Sequence, residues 1–224
     1  MQIINVLTQY YPSFFKALGV TLQMTVISLF FATILGVIFG LFKVSDFKAL
    51  KFIANIYIDI IRGTPLLVQV FIMYYGVGSM LRPYGFQWNM IGGAFSAGCV
   101  TLSLNAGAYM AEIIRGGIEA VDKGQMEAAR SLGLPYGVAM RKIILPQAIR
   151  IVIPSVLNQF IITLKDTTIL SVIGCGELMR QGQLIVARNY QSFQTYAIVA
   201  VMYYVVVIVL TKAFQLVERR LSNK

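Results

Sequence analysis

Long stretches without a charged residue alternate with short polar segments along the whole chain. The charge-free stretches are predominantly apolar, and several reach or exceed 20 residues. A helix needs about 20 apolar residues to cross the hydrocarbon core of a bilayer. We therefore predict an all-α membrane protein with five transmembrane helices, at about 17–42, 52–81, 87–111, 151–173 and 189–211.

Charged pairs lie at the edges of two predicted spans. In the second span Asp59 and Arg62 are three residues apart, as are Glu112 and Arg115 at the end of the third, so each pair shares a helix face. We interpret both as structural ion pairs. The sequence Gly63-Thr64-Pro65 then interrupts the second helix, and the carbonyl groups freed there need another helix or water as a partner.

Polar side chains lie along one side of the fourth predicted span and on one turn of the third. Ionisable residues within a membrane protein usually face the bundle interior or a water-filled cavity. There Asp166 offers a carboxylate to an ammonium or guanidinium group, although a structural pair with Lys165 at the outer interface is an equal alternative. The candidates for the lining of a substrate path are Asn105, Tyr109, Asn158, Gln159, Thr163 and Asp166.

Composition supports the membrane assignment and excludes several kinds of chemistry. Hydrophobic residues make up 58% of the 224 residues and charged residues only 12%, where soluble domains carry about 25%. The chain has no histidine, which excludes a His-based metal site or general base, and we expect neither catalytic residues nor a metal site. No G-x-x-x-x-G-K-[ST] phosphate loop occurs, so ATP hydrolysis would require a separate subunit.

The net charge of +10 predicts an orientation in the bilayer. Most of the 19 basic residues fall within 43–51, within 115–150 and from 212 onward. Cytoplasmic loops carry an excess of lysine and arginine, so the N-terminus is expected outside and the C-terminus in the cytoplasm. We expect no nucleic-acid binding, because no basic stripe with interleaved aromatic residues is present.

The segment from about 119 to 146 carries the most specific pattern in the chain. Glu127, Ala128 and Ala129 are followed by Gly133 and then by Ile-x-Leu-Pro at 143–146. Helix formers precede Gly133, and a second helical stretch follows the glycine.

We predict two short helices in this loop, at 126–132 and 138–144. Glu127 is expected at the start of the first helix, Gly133 at the bend, and Pro146 at the end of the second. Elements this short are ordered mainly by docking on a partner. A solvated hairpin of two juxtamembrane helices is the alternative, and the complete spacing favours docking.

This spacing resembles the cytoplasmic coupling loop of permease subunits of bacterial ABC importers. The resemblance implies a bacterial inner or plasma membrane and docking of Glu127, Ala128, Ala129 and Gly133 on a dimer of ATP-binding subunits. That dimer would carry the ATP and Mg²⁺, and no cofactor is expected in this chain. The resemblance also implies an extracytoplasmic substrate-binding protein and a second, identical or similar permease. The substrate path would then lie at the interface between the two permeases.

Three further segments resemble the polar amino-acid uptake branch of these permeases, whose substrates include histidine, arginine, glutamine and glutamate. They are 59–69, 105–118 and 165–174. The resemblance implies that 1–224 is a single transmembrane permease domain for polar amino acids, with a basic amino acid such as arginine favoured by Asp166. Glutamine or glutamate is the alternative substrate. An ion-coupled secondary transporter is the alternative of another class, but its expected inverted repeats are not found.

Overall fold

The computed structural model describes the backbone of residues 2–222 and the side chains of 2–216, 218 and 219. The described chain is almost entirely helical, as predicted, and no strand occurs within it. The helices are α1 (Gln2–Val44), α2 (Lys48–Gly63), α3 (Leu66–Tyr84), α4 (Ala94–Glu119), α5 (Lys123–Ser131), α6 (Tyr136–Ile173), α7 (Leu178–Asn189) and α8 (Ser192–Ser222).

Within residues 2–222, helices α1, α4, α6 and α8 are each long and apolar enough to cross a bilayer. Helices α2 and α3 meet these criteria only together, and they are bent by 105° at the break between them. The pair covers the predicted second span and is either a broken span, which would bring the number of candidate spans to five, or a re-entrant loop.

Helix α4 begins later than the apolar pattern suggested. The third span was predicted from about residue 87, but the α-helix starts at Ala94 and continues to Glu119. Residues Trp88–Ile91 form a short 3-10 turn, and Gly92 and Gly93 follow with φ angles of 109° and 64°. Positive φ angles are accessible to glycine and incompatible with a continuous right-handed helix, whereas hydropathy does not distinguish the two conformations.

The second half of the loop differs from the prediction, because it is the first part of helix α6. Pro146 was expected to end a short helix, but the helix that begins at Tyr136 runs through Pro146 without a stop. A π-helical turn at Met140–Ile144 precedes it, and Pro146 lies in the first turn of the α-helical stretch that follows. The second loop helix and the fourth predicted span are therefore one helix of 38 residues.

Helices α1 and α4 run parallel and in close contact at the centre of the bundle. A Cβ atom at Gly36 would lie 2.4 Å from Cβ of Met110, and one at Gly40 would lie 3.0 Å from the carbonyl oxygen of Ala111. Helices in membranes gain no hydrophobic driving force from association, so close backbone approach at small residues is a main source of packing energy.

Helix α7, which hydropathy did not predict, is tied to the bundle at its N-terminus. The buried Glu177 carboxylate accepts hydrogen bonds from the backbone N–H groups of Met179 and Arg180 at 2.8 and 2.6 Å and from the Tyr203 hydroxyl at 3.0 Å. Burial raises the pKa of Glu177 to about 7, although these three donors oppose the shift. Glu177 thereby connects α7 to α8.

Replacing Gly36 with alanine is expected to destabilise the protein by about 1–3 kcal/mol, because the new methyl group overlaps Met110. Gly19→Ala is the matched control on the same helix, since a Cβ there meets nothing within 4 Å. The measurement is the thermal unfolding midpoint of each purified variant in detergent. Equal midpoints for the two variants would contradict the close α1–α4 contact.

Candidate substrate cavity and coupling loop

The break between α2 and α3 is built by two residues. Thr64 is extended, with φ −119° and ψ 145°, as a residue before proline prefers. Pro65 follows and has no N–H group to continue the helix. The amide of Gln69 in α3 donates to the carbonyl oxygens of Ile61 at 2.7 Å and Thr64 at 3.0 Å. The freed carbonyls thus find their partner in the next helix, as the sequence required.

Gln69 also attaches the break to α4. Its side-chain carbonyl accepts a hydrogen bond of 2.9 Å from Nδ2 of Asn105, which is itself buried. Gln69 ends the segment 59–69 that resembles the amino-acid uptake branch, and no role was predicted for it. The available signal was a lone amide, four residues after Pro65, in an otherwise apolar run.

A cavity of about 360 Å³ opens at the break, between α2–α3, α4 and α6. It brings together four of the six predicted path residues, which come from two helices that are distant in sequence. Among the described lining residues, Asp166 carries the only ionisable acid or base other than the Tyr109 phenol. The polar part of the lining comprises Thr64, Asn105, Tyr109, Gln159 and Asp166.

The two remaining candidates lie elsewhere. Thr163 is buried behind the lining, with its hydroxyl 3.4 Å from Nε2 of Gln159. Asn158 is exposed on the outer face of α6 and does not line the cavity. Among the described side chains, Lys165 and Asp166 form no salt bridge, but Lys165 attracts the Asp166 carboxylate electrostatically, so both interpretations of Asp166 stay predictions.

Next to the cavity, one turn further along α4, Glu112 binds three cations. It pairs with Lys43 of α1, with Arg115 at 2.8 Å and with Arg62 at 3.7 Å. The predicted Glu112–Arg115 pair is confirmed. The predicted Asp59–Arg62 pair is wrong, because Arg62 turns toward α4 instead and its guanidinium lies 5.4 Å from the centre of the Tyr109 ring.

The predicted docking residues lie on α5 and the bend after it. Asp122 caps the helix by accepting from the Gly124 N–H at 2.7 Å, so Glu127 is in the middle of α5 and not at its start as predicted. Glu127 and Ala128 are exposed, whereas Ala129 is buried within the chain and 2% exposed. Docking through these residues stays a prediction, and Ala129 is not accessible for it in this conformation.

Gly133 forms the bend with a φ angle of 80°. The N–H of Leu134 donates to the Ala129 carbonyl at 3.1 Å, an i+5 hydrogen bond that closes the helix as in a Schellman motif. A Cβ at Gly133 would meet nothing within 4 Å, so glycine is required here for its backbone conformation and not for space.

Gln69→Leu is expected to lower stability by about 1–3 kcal/mol, because the Ile61 carbonyl loses its donor and the buried Asn105 amide loses its acceptor, both in partly buried hydrogen bonds. The matched control is Gln147→Leu, whose exposed amide donates to the Ile143 carbonyl at 2.9 Å and can be replaced by water. The measurement is the thermal unfolding midpoint of each of the two variants in detergent. A midpoint for Gln69→Leu equal to that of the control would show that the break does not need Gln69.

Comparisons with known proteins agree with this architecture. Residues 32–223 match the family described as binding-protein-dependent transport system inner membrane component. The arginine transport system permease protein ArtQ of Bacillus subtilis (strain 168) is 41% identical over 212 residues, covering 95% of this chain and 94% of that protein. The putative glutamine transport system permease protein GlnP of Rickettsia conorii is 37% identical over 220 residues, covering 96% and 97%.

One crystal structure, described as an amino acid ABC transporter with histidines, is also similar. It is 42% identical, superimposes with a TM-score of 0.87 and covers 96% of each chain. The chain therefore belongs to the family of binding-protein-dependent transport system inner membrane components, and the resemblance of its motifs to ABC importer permeases is confirmed.

Proposed function

We propose that this chain is the permease subunit of an ATP-driven importer of amino acids and that arginine is its preferred substrate. The observation that carries the proposal is the carboxylate of Asp166 in an otherwise uncharged polar cavity at the break of the second span. Relatives named for arginine and glutamine transport, and a similar amino acid transporter structure, support the substrate class.

The cavity offers complementary groups for each part of a cationic amino acid. Asp166 attracts an ammonium or guanidinium group, and the Tyr109 ring offers its face to the same cation. The amides of Asn105 and Gln159 supply neutral hydrogen-bonding groups for the remainder of the molecule. A volume of about 360 Å³ falls within the range of small-molecule sites.

A neutral substrate such as glutamine would use the amides but gain nothing from the charge of Asp166. The partly buried Asp166 carboxylate forms no salt bridge among the described side chains, so a cationic ligand gains an attraction there that a neutral ligand does not. This difference is the physical reason for preferring arginine to glutamine.

The proposed transport further requires a defined orientation of the chain in the membrane and several partner proteins. The excess of basic residues supports a cytoplasmic position for the loop end of the bundle. A dimer of ATP-binding subunits, which carries the ATP and Mg²⁺, would dock there on the exposed Glu127 and Ala128. On the opposite side, a substrate-binding protein would deliver the amino acid. A second permease would complete the path in a bacterial inner or plasma membrane.

Helix α6 provides the mechanical connection between docking and transport. It begins at Tyr136, directly after the bend, and carries Gln159 and Asp166 into the cavity. Tyr136 and Asp166 are 30 positions apart, which corresponds to about 45 Å along a helix. A displacement of the loop by closure of the ATP-binding subunits would therefore move two lining residues as part of one rigid body.

Asp166→Asn is expected to reduce arginine uptake at limiting substrate about tenfold or more, because the charge-assisted contact is lost. Glutamine uptake is expected to change far less. The measurement is the initial uptake rate of each amino acid by proteoliposomes that contain the complete transporter and its binding protein. Asn158→Ala, outside the cavity, is the control and should match the unmodified protein. Equal losses for the two amino acids would contradict the assigned role of Asp166.

Gly133→Ala is expected to weaken assembly with the ATP-binding subunits and to lower uptake, because an L-residue at a φ of 80° costs about 1–2 kcal/mol. Gly137→Ala is a matched control. A new Cβ at Gly133 or at Gly137 meets no atom within 4 Å, but Gly137 lies in α6 with ordinary helical backbone geometry. Co-purification of the ATP-binding subunit and substrate-stimulated ATP hydrolysis measure the effect. Unchanged values for Gly133→Ala would show that the bend is not needed for coupling.

A further inference from the structure

Arg62 occupies the boundary between the cavity and the cation cluster around Glu112. It lies at the end of α2, directly before the break, and its guanidinium is 5.4 Å from the centre of the Tyr109 ring and 3.7 Å from Glu112. Tyr109 lines the cavity, and Glu112 lies one turn nearer the loop end of α4. Arg62 therefore sits where a cation leaving the cavity toward the loop end would pass.

We propose that Arg62 is a tethered cation that closes the loop-facing end of the cavity by resting on Tyr109 and Glu112. The proposal rests on the proposed function, because it takes the cavity as the amino-acid path. A substrate guanidinium and Arg62 compete for the same aromatic face, so a cationic substrate moving inward displaces Arg62, which returns once the substrate has left.

The charges around Glu112 indicate that Arg62 is not needed to neutralise it. Lys43 and Arg115 contact the same carboxylate, both more closely than Arg62 does. The Arg62 side chain is also 44% exposed, which makes its contact at 3.7 Å a weak and readily reversible one. A gating residue needs this reversibility, whereas a structural anchor would be held tightly.

Arg62 is also not needed to attach α2 to α4. The Tyr57 hydroxyl of α2 donates to the Leu104 carbonyl of α4 at 2.6 Å. Ala54 and Ile58 of α2 are buried against α4 in one hydrophobic cluster. The helices therefore remain packed when the Arg62 side chain moves.

The test measures access to the cavity from the loop side. Ile162→Cys places a thiol in the lining, and the native Cys99 and Cys175 are buried and supply the background rate. The complete transporter with its ATP-binding subunits is reconstituted in vesicles with the loop side outward. A membrane-impermeant maleimide is then added without nucleotide or amino acid.

When Arg62→Gln is combined with Ile162→Cys, the rate of maleimide labelling at position 162 is expected to rise about three- to tenfold. The reason is that a cation–π contact and a weak ion pair, which hold Arg62 in place, are lost. Lys43→Gln is the matched control, because it removes another partner of Glu112 that does not touch Tyr109. It should leave the rate unchanged. Tyr109→Leu removes the aromatic contact, retains all charges and should accelerate labelling as Arg62→Gln does.

Unchanged labelling in Arg62→Gln or in Tyr109→Leu overturns the proposal. Equal acceleration by Lys43→Gln also overturns it, because the effect would then come from the ion cluster as a whole. The labelling needs no substrate, so its failure is separate from a failure of the proposed function, which the uptake rates of arginine and glutamine report.

Discussion

The side chain of Gln69 satisfies two carbonyl groups at the break between α2 and α3, beside the polar cavity. Unpaired carbonyls at membrane depth cost several kcal/mol each, so a break in a span persists only where such a partner exists. Gln69 also accepts from Asn105, which sets the position of the break relative to α4. The cavity, its lining and the position of Arg62 all depend on this arrangement.

The two functional regions of the chain are joined by continuity of the backbone. Sequence reasoning separated the coupling loop from the fourth span at Pro146, but α6 passes through this residue. A π-helical turn at Met140–Ile144 directly precedes Pro146, and such local adjustments satisfy the backbone groups that a proline within a membrane helix would leave free. The loop is therefore not a separate appendage, and a force applied near Tyr136 acts directly on the helix that carries Asp166.

Charge is distributed unevenly on the two sides of Tyr109. The cavity contains one carboxylate, that of Asp166, whereas the adjoining cluster gathers three cations on Glu112. If the cavity is the path of a cationic amino acid, as we propose, Asp166 attracts that cation and the cluster around Glu112 presents positive charge beyond it. Arg62 belongs to that second region, yet it touches the ring that lines the first.

The apolar runs and the spacing of Glu127, Gly133 and Pro146 sufficed to predict the helical class, the membrane character and the family, because hydropathy and backbone preference are local properties. Four of the six candidates for the path line one cavity, since polar residues inside spans are costly and therefore informative. Local pattern did not reveal that Arg62 pairs with Glu112 rather than Asp59, that Ala129 is buried, or that Asn158 faces outward. These outcomes depend on which helix lies beside each residue, and only the tertiary packing of α2, α4 and α6 decides that.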